Sequence, residues 1–368
     1  MRLSLVFAAA STAVVTSASV LPRAAAAASA PNLPASSFPT FKTISIDDAK
    51  NEKDLPPEWN RTHTVQADPD FFSAQTAASA ACSANPNVRI EWKSYSTQHR
   101  KNFIGAIKCL MNKPPSGKFS PATNRYEDFV RLHQMYMPEV HQNAKFLVWH
   151  RYYLWVFQMT LRKECGFNDP FPWWDETLVA GKFGTTDMFT SPDYFGHLPG
   201  PQNGNPVCIT SGAFAGLTCH IGPGGGSTPH CLSRAGQASL TSQCNANFVN
   251  TCNSRSSYAD MESCSEYGPH AYGHNGIGGV MSDVAASPSD PIFWMHHSFV
   301  DHSFRIWQNA AASRTTTING KDHEGNPLTL DTTISVGGIF PDVKVRDVLN
   351  TMSGATIGGY PWCYRYNY

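Results

Sequence analysis

The order of apolar and polar positions along the chain changes character near Ser96. Phe103, Ala106, Ile107 and Leu110 recur at helical spacing, and Pro114-Pro115 follow, so the pattern predicts a helix that ends before them. A second helix is predicted over about 125–134, with Tyr126, Phe129, Val130 and His133 on one side. A third, longer one runs from about Glu139 to Lys163 and carries Phe146, Trp149, Tyr152, Leu154, Phe157 and Leu161. A fourth should hold both His270 and His274. A fifth should run from about Pro291 to Trp307, with Asp290 as N-cap and Pro291 at the first helical position, where a missing N–H costs nothing. The helices predict a mainly α fold: a four-helix bundle core with long loops and short peripheral strands.

The segments between these helices read differently. Residues 31–90 are rich in Pro, Ala and Ser and predict an extended arm wrapped around a core. Residues 166–258 contain GPGGGSTP, five of the cysteines and little periodicity. Loops of that length inside a compact domain need staples or a function, and disulfides are the expected staples. The tail, 310–368, mixes short strand-like runs (TTTING, TTISVGGIF) with turns, and GYPWCYRYNY should pack on the core with Cys363 in a disulfide.

Composition narrows the class. Arg2, the apolar run LSLVFAAA and a small-residue tract ending at Ala30 form the pattern of a secretory leader, which leaves 31–368 as a single domain. Setting aside Arg2 and Arg23 leaves 26 basic against 28 acidic side chains and no basic patch, which argues against nucleic acid as partner. No later stretch is apolar enough to span a bilayer. All ten cysteines lie beyond the leader, an even number that predicts up to five disulfides in an oxidising compartment. CxxC is absent, so thiolate metal sites are a poor reading. One glycosylation sequon begins at Asn60.

The histidines carry the chemistry. DPIFWMHHSFVDH places His296, His297 and His302 among large apolar side chains, and a buried imidazole needs a hydrogen bond or a metal. His270 and His274 are four apart, on one face of a helix. His133, His141 and His150 form one possible trio, and His270, His274 and His297 a second. A single such histidine is more often a satisfied core residue than a ligand. Two trios on aromatic helices are harder to explain without metal. HExxH is absent and no carboxylate joins either trio by position, while all-imidazole sites suit copper, zinc, iron or nickel.

NRYEDFVRLH (124–133), HQNAKFLVWHRYY (141–153), PHAYGHNGIGGVM (269–281) and DPIFWMHHSFVDHSFRIW (290–307) occur in this order. Through them the chain closely resembles the tyrosinase, catechol oxidase and hemocyanin family of coupled dicopper proteins. The resemblance implies two copper ions, one on His133, His141 and His150 and the other on His270, His274 and His297. It implies that His296 supports the site rather than binding metal. Asp301, one turn beyond His297, is expected to orient an imidazole. Phe146 and Phe293 are expected to wall the metals.

The resemblance also implies a reaction: ortho-diphenols become ortho-quinones while O2 is reduced to water. Departures from the family pattern bear on the substrate. Many tyrosinases carry Asn where this chain has Ala271, and with a nearby Glu that Asn orients a water. Asn275 could partly substitute for it, with Glu262 or Glu266 as the carboxylate. Val284 stands where some members have a bulky Phe, which predicts an open pocket mouth. Glu139 stands where some carry a thioether-forming Cys. The expectation is a secreted catechol oxidase acting on small phenols with O2, monomeric, with no nucleic-acid or membrane partner. A tyrosinase hydroxylating monophenols or o-aminophenols, and a hemocyanin-like oxygen carrier, are the alternatives.

Overall fold

The computed structural model describes residues 29–53, 65–66 and 78–368. The leader up to residue 28 and the Asn60 sequon lie outside the described residues. The architecture is mainly helical. Its principal helices are α1 (Thr97–Met111), α2 (Arg125–Val140), α3 (Phe146–Cys165), α4 (Tyr258–Ser265), α5 (Ala271–Ile277) and α6 (Phe293–Asn309).

α3 is the axis of the bundle, and every residue from Phe146 to Leu161 is buried. A helix apolar all round can only be central. α1, α2 and α6 pack around it. The rings of Phe157 on α3 and Trp294 on α6 stack 3.6 Å apart, and the Trp294 indole N–H donates to Tyr126 of α2. Ser96 caps α1 by accepting from the His99 N–H, and Asn124 caps α2 by accepting from the Glu127 N–H. Gly166, left-handed at φ 66°, ends α3.

Three helix boundaries differ from the sequence reading. α2 continues through Pro138 to Val140, and α3 begins at Phe146 rather than Glu139. The chain turns between them at Gln142, a non-glycine residue at φ 58°. His270 and His274 do not share one regular helix. A kinked π-helical turn, Glu266–His270, joins α4 to α5, broken at Gly268 (ψ −116°) just before Pro269. α6 starts at Phe293 with Ile292 at its cap. Asp290 still caps the approach to it as expected, its Oδ1 accepting the Ile292 N–H at 3.2 Å and its carbonyl the Phe293 N–H at 3.0 Å, while the same carboxylate pairs with the buried Arg234 at 2.7 Å.

A three-stranded parallel sheet closes one side: β1 (Asn87–Glu91) pairs with β2 (Pro172–Trp173) and with β3 (Tyr364–Tyr366). Four disulfides form: Cys82–Cys363, Cys109–Cys165, Cys208–Cys231 and Cys252–Cys264. The expected maximum of five is not reached, since Cys219 and Cys244 are buried free thiols. Only Cys208–Cys231 lies wholly within 166–258. That region is otherwise held by polar ties, such as Arg234 to Asp290 and Gln134 Nε2 to the Gly224 and Gly226 carbonyls. No helix among the described residues is long and apolar enough to cross a membrane.

Candidate metal centre

α2, the turn after it and α3 bring His133, His141 and His150 together, while the π-turn, α5 and α6 bring His270, His274, His296 and His297 together. Every ring is buried. The two groups share walls: His150 and His297 stack at 4.6 Å, and Phe146 lies 4.7 Å from His150 and 4.6 Å from His270. Phe293 stacks on His297 at 4.1 Å and meets His133 edge-on at 5.4 Å. Phe146 and Phe293 thus pack against rings of both groups, where the family resemblance expects them.

The backbone sets the tautomers. Nδ1 of His133 faces the Ala285 carbonyl at 2.8 Å, that of His150 faces Phe146 at 2.8 Å, and that of His274 faces Met281 at 2.7 Å. His141 and His270 make longer contacts of the same kind, to Met137 and Glu266 at 3.3 and 3.0 Å. A carbonyl only accepts, so each Nδ1 carries the hydrogen and each Nε2 offers a lone pair. Those lone pairs converge. Nε2 of His133 and His150 lie 3.4 Å apart, and Nε2 of His274 lies 3.1 Å from Nε2 of His297, whose Nδ1 has no hydrogen-bond partner among the described residues. Nε2 of His141 and His270 have no hydrogen-bond partner among the described residues. Buried lone pairs directed at one another are costly unless a cation lies between them.

Electrostatics agree with this picture. Burial pushes the His133 imidazole down to about 4. Burial first, then neighbouring imidazoles, hold His141, His150, His270, His274 and His297 well below the ordinary range. The rings are therefore neutral at physiological pH, the form that binds metal. No Asp or Glu belongs to either group, and an all-nitrogen donor set fits copper. The two clusters are positioned to coordinate a coupled dicopper centre.

Several neighbouring residues take other roles than the sequence suggested. Asp301 orients no imidazole. It accepts from Arg151 Nε at 2.6 Å, Arg89 Nη1 at 3.1 Å, and the Tyr364 and Tyr366 hydroxyls at 2.7 and 2.6 Å. Burial opposes its ionisation, but the two guanidiniums and the tyrosine hydroxyl outweigh that and hold its pKa below the usual range. Spacing placed Asp301 one turn from His297, while its partners lie on β1, α3 and β3.

Asn275 points away from any water-holding role, because its amide is paired in both directions with the backbone of Phe41. Its Oδ1 accepts from the Phe41 N–H at 3.1 Å and its Nδ2 donates to the Phe41 carbonyl at 2.8 Å. The mouth beside Val284 is not open: the Val284 N–H donates to the Pro39 carbonyl, and the Phe41 ring lies on His274. Ala271 is buried and offers no side-chain hydrogen bond. Both Glu266 oxygens accept the Gln142 N–H, at 2.8 and 2.9 Å, and burial pushes the Glu266 carboxyl up to about 8 against the opposing hydrogen bonds from Gln142 and Glu262. Glu266 thus bridges the segments that carry His141 and His270.

Sequence reasoning missed Glu176. It lies in the long middle region, and its Oε1 sits 2.6 Å from His296 Nδ1. His296 makes this one hydrogen bond, its Nε2 has no partner among the described residues, and the ring belongs to the second group of possible ligands. Gly273 makes room for this pair: a Cβ there would meet His296 Cε1 at 2.3 Å and Glu176 Oε2 at 3.2 Å. Only the acidic WWDE stretch among aromatics hinted at Glu176.

Residues 123–310 match the family model described as the common central domain of tyrosinase. A tyrosinase P from Aspergillus terreus is 28% identical over 334 residues, covering 77% of this chain and 92% of that protein. A tyrosinase ustQ from Aspergillus flavus is 32% identical over 297 residues, covering 77% and 80% respectively. The solved structure of a polyphenol oxidase variant from Thermothelomyces thermophila superposes with a TM-score of 0.67 at 24% identity, over 82% of this chain and 98% of that one, and shows the same fold. The matched span holds all seven histidines of the two clusters and the helices that aim them, and the chain belongs to the tyrosinase family of coupled dicopper oxidases, which act on phenols with O2.

Proposed function

We propose that this chain is a secreted catechol oxidase in which His133, His141 and His150 hold one copper and His270, His274 and His297 the other. Bound copper would supply two-electron exchange between an ortho-diphenol and O2. The observation that carries the ligand assignment is the convergence of Nε2 atoms: in His133, His150 and His274 a backbone carbonyl takes Nδ1 and frees the Nε2 lone pair, and His297 Nε2 lies 3.1 Å from that of His274. His296 is read as a positioning residue, because its Nδ1 is taken by Glu176.

The chain's own residues do the rest. Phe146 and Phe293 exclude water from the space between the clusters and hold the rings in place. The flat face of His274 offers a stacking surface for an aromatic ring. Glu266, with its raised pKa, holds a proton at its carboxyl near neutral pH. The restriction to diphenols rests on Ala271, which cannot hold a water, and on Asn275, whose amide is already engaged. Relatives named tyrosinases support a second reading, in which monophenols are hydroxylated as well. The leader-like sequence and the four disulfides support an extracellular location.

Oxygen uptake by copper-loaded protein on 4-tert-butylcatechol and on tyramine, with copper per chain measured on the same sample, tests the proposal. Two coppers with fast catechol oxidation and little tyramine oxidation are expected. Sustained tyramine hydroxylation would replace the catechol oxidase reading with the tyrosinase one.

A further inference from the structure

The ligand histidines do not all lean on their own segment. Nδ1 of His141, His150 and His270 faces the carbonyl four residues earlier, on Met137, Phe146 and Glu266. Residues four apart are neighbours on a helical turn, so these contacts are local. His133 and His274 differ. Nδ1 of His133 faces the carbonyl of Ala285, 152 residues away, and Nδ1 of His274 faces that of Met281, seven residues later. One histidine of each cluster thus takes its orientation from the same stretch, which runs from one 3-10 turn, Gly279–Ser282, to another, Ser287–Ser289.

Asp283 lies between Met281 and Ala285, and it is buried. Its Oδ1 accepts the Ala285 N–H at 3.0 Å, and its backbone carbonyl accepts the Ser287 N–H at 2.9 Å. Its Oδ2 accepts the Gly224 N–H at 2.8 Å. The glycine-rich loop around Gly224 is also held by Gln134, the neighbour of His133, whose Nε2 donates to the Gly224 and Gly226 carbonyls. Gly222 lets the two stretches close: at φ 94°, a Cβ there would meet Asp283 Oδ2 at 3.1 Å and Ala286 Cβ at 2.8 Å. No cation pairs with Asp283 among the described residues, and backbone N–H groups alone offset its burial. A buried carboxylate is a costly way to satisfy peptide donors. Its two oxygens accept from two segments at once, however, and an amide presents only one such oxygen.

We propose that Asp283 is a positioning residue for both copper clusters: its carboxylate pins the stretch whose Ala285 and Met281 carbonyls hold Nδ1 of His133 and His274. The inference rests on the ligand assignment proposed above. Losing the carboxylate loosens one ligand in each cluster and leaves the others to their own turns. The group that holds a ligand's second nitrogen typically controls about 10–100-fold in metal affinity.

The test uses the full chain loaded with Cu(I) under anaerobic conditions, as wild type, Asp283→Ala and Asp283→Asn. Imidazole Nδ1–H signals are followed by proton–nitrogen NMR on histidine-labelled protein, and copper is titrated out with bicinchoninate. In Asp283→Ala we expect the His133 and His274 signals to shift or vanish into solvent exchange while those of His150 and His270 stay. Both coppers should bind about tenfold more weakly in that variant. Asp283→Asn, with one acceptor oxygen left, should shift the same two signals less. Unchanged His133 and His274 signals, or wild-type copper affinity at both sites, would overturn the proposal whatever happens to stability. Equal disturbance of all four signals would overturn it too, because that marks general loosening. Should Asp283→Ala fail to fold, the Asp283→Asn signals decide alone. Wild type holding fewer than two coppers per chain would defeat the ligand assignment, and the same signals in metal-free protein would then still judge Asp283.

Discussion

His274 Nε2 and His297 Nε2 lie 3.1 Å apart while His296, the neighbour of His297, turns its Nδ1 to Glu176 at 2.6 Å. Adjacent histidines on one helix thus face different partners. Replacing His297 with Ala should remove one copper per chain. Replacing His296 with Asn keeps a donor toward Glu176 and should leave two coppers bound. Atomic absorption on the purified variants separates these cases, and loss of copper from the His296 variant alone would reverse the assignment.

Gly273 is the residue against which that pair packs. A methyl group at 2.3 Å from His296 Cε1 cannot be accommodated without moving the ring or α5. Gly273→Ala should weaken copper binding in the second cluster while the first keeps its metal. Copper titration of the apo-protein would show one unaltered and one weakened site. Two unaltered sites would mean that His296 moves freely.

These two positions show where sequence reading reaches its limit. The gathering of His133, His141, His150, His270, His274 and His297 was legible because the four quoted motifs that carry the family resemblance hold them. The partner of Asp301 was misjudged because Arg89 and Arg151 are far from it along the chain, and charge pairing in a core overrides helical proximity. Glu176 and Phe41 were invisible for a related reason. Both sit in segments without periodicity, where nothing in the sequence tells which side chain turns inward. The start of α3 was misplaced because no residue type announced the left-handed backbone of Gln142, where the chain turns between α2 and α3.

Metal-free protein should lose stability as pH falls below the ordinary histidine value of 6.5. Nine imidazoles have depressed values: His133, His141, His150, His197, His230, His270, His274, His297 and His302. Below 6.5 the unfolded chain takes up protons that the folded chain refuses, until the folded value is reached, about 4 for His133. Each buried group then contributes a slope of about 1.4 kcal/mol per pH unit. Glu91, Glu176, Glu266 and Asp283, whose values burial raises, act in the opposite sense, but they are four against nine. Urea unfolding of the apo-protein at pH 7, 6 and 5 should show the decline, and a flat profile would contradict it.

Thiol counting checks the cysteine pattern. Cys219 and Cys244 are buried, and burial pushes both thiols well above their usual range, so neither is a reactive thiolate. An aromatic disulfide reagent should find no thiol in the native protein and two per chain in denaturant. No free thiol in denaturant would mean that these two cysteines are paired as well.

Asp301 offers the sharpest separation between a structural and a metal-site role. The Arg89 and Arg151 side chains are buried, and among the described residues the Asp301 carboxylate is the negative charge that pairs with both. Asp301→Asn keeps the size of the side chain but removes the charge that neutralises both. Breaking a buried pair from one side typically costs about 3–5 kcal/mol, because the remaining charge stays desolvated. The same carboxylate joins β3 to α6 through two tyrosine hydroxyls, so the C-terminal strand should loosen with it. We expect a fall in stability of that size in denaturant titrations, with two coppers still bound to the folded fraction at low temperature. A residue that oriented a ligand would behave the other way round, changing copper affinity while leaving stability nearly intact.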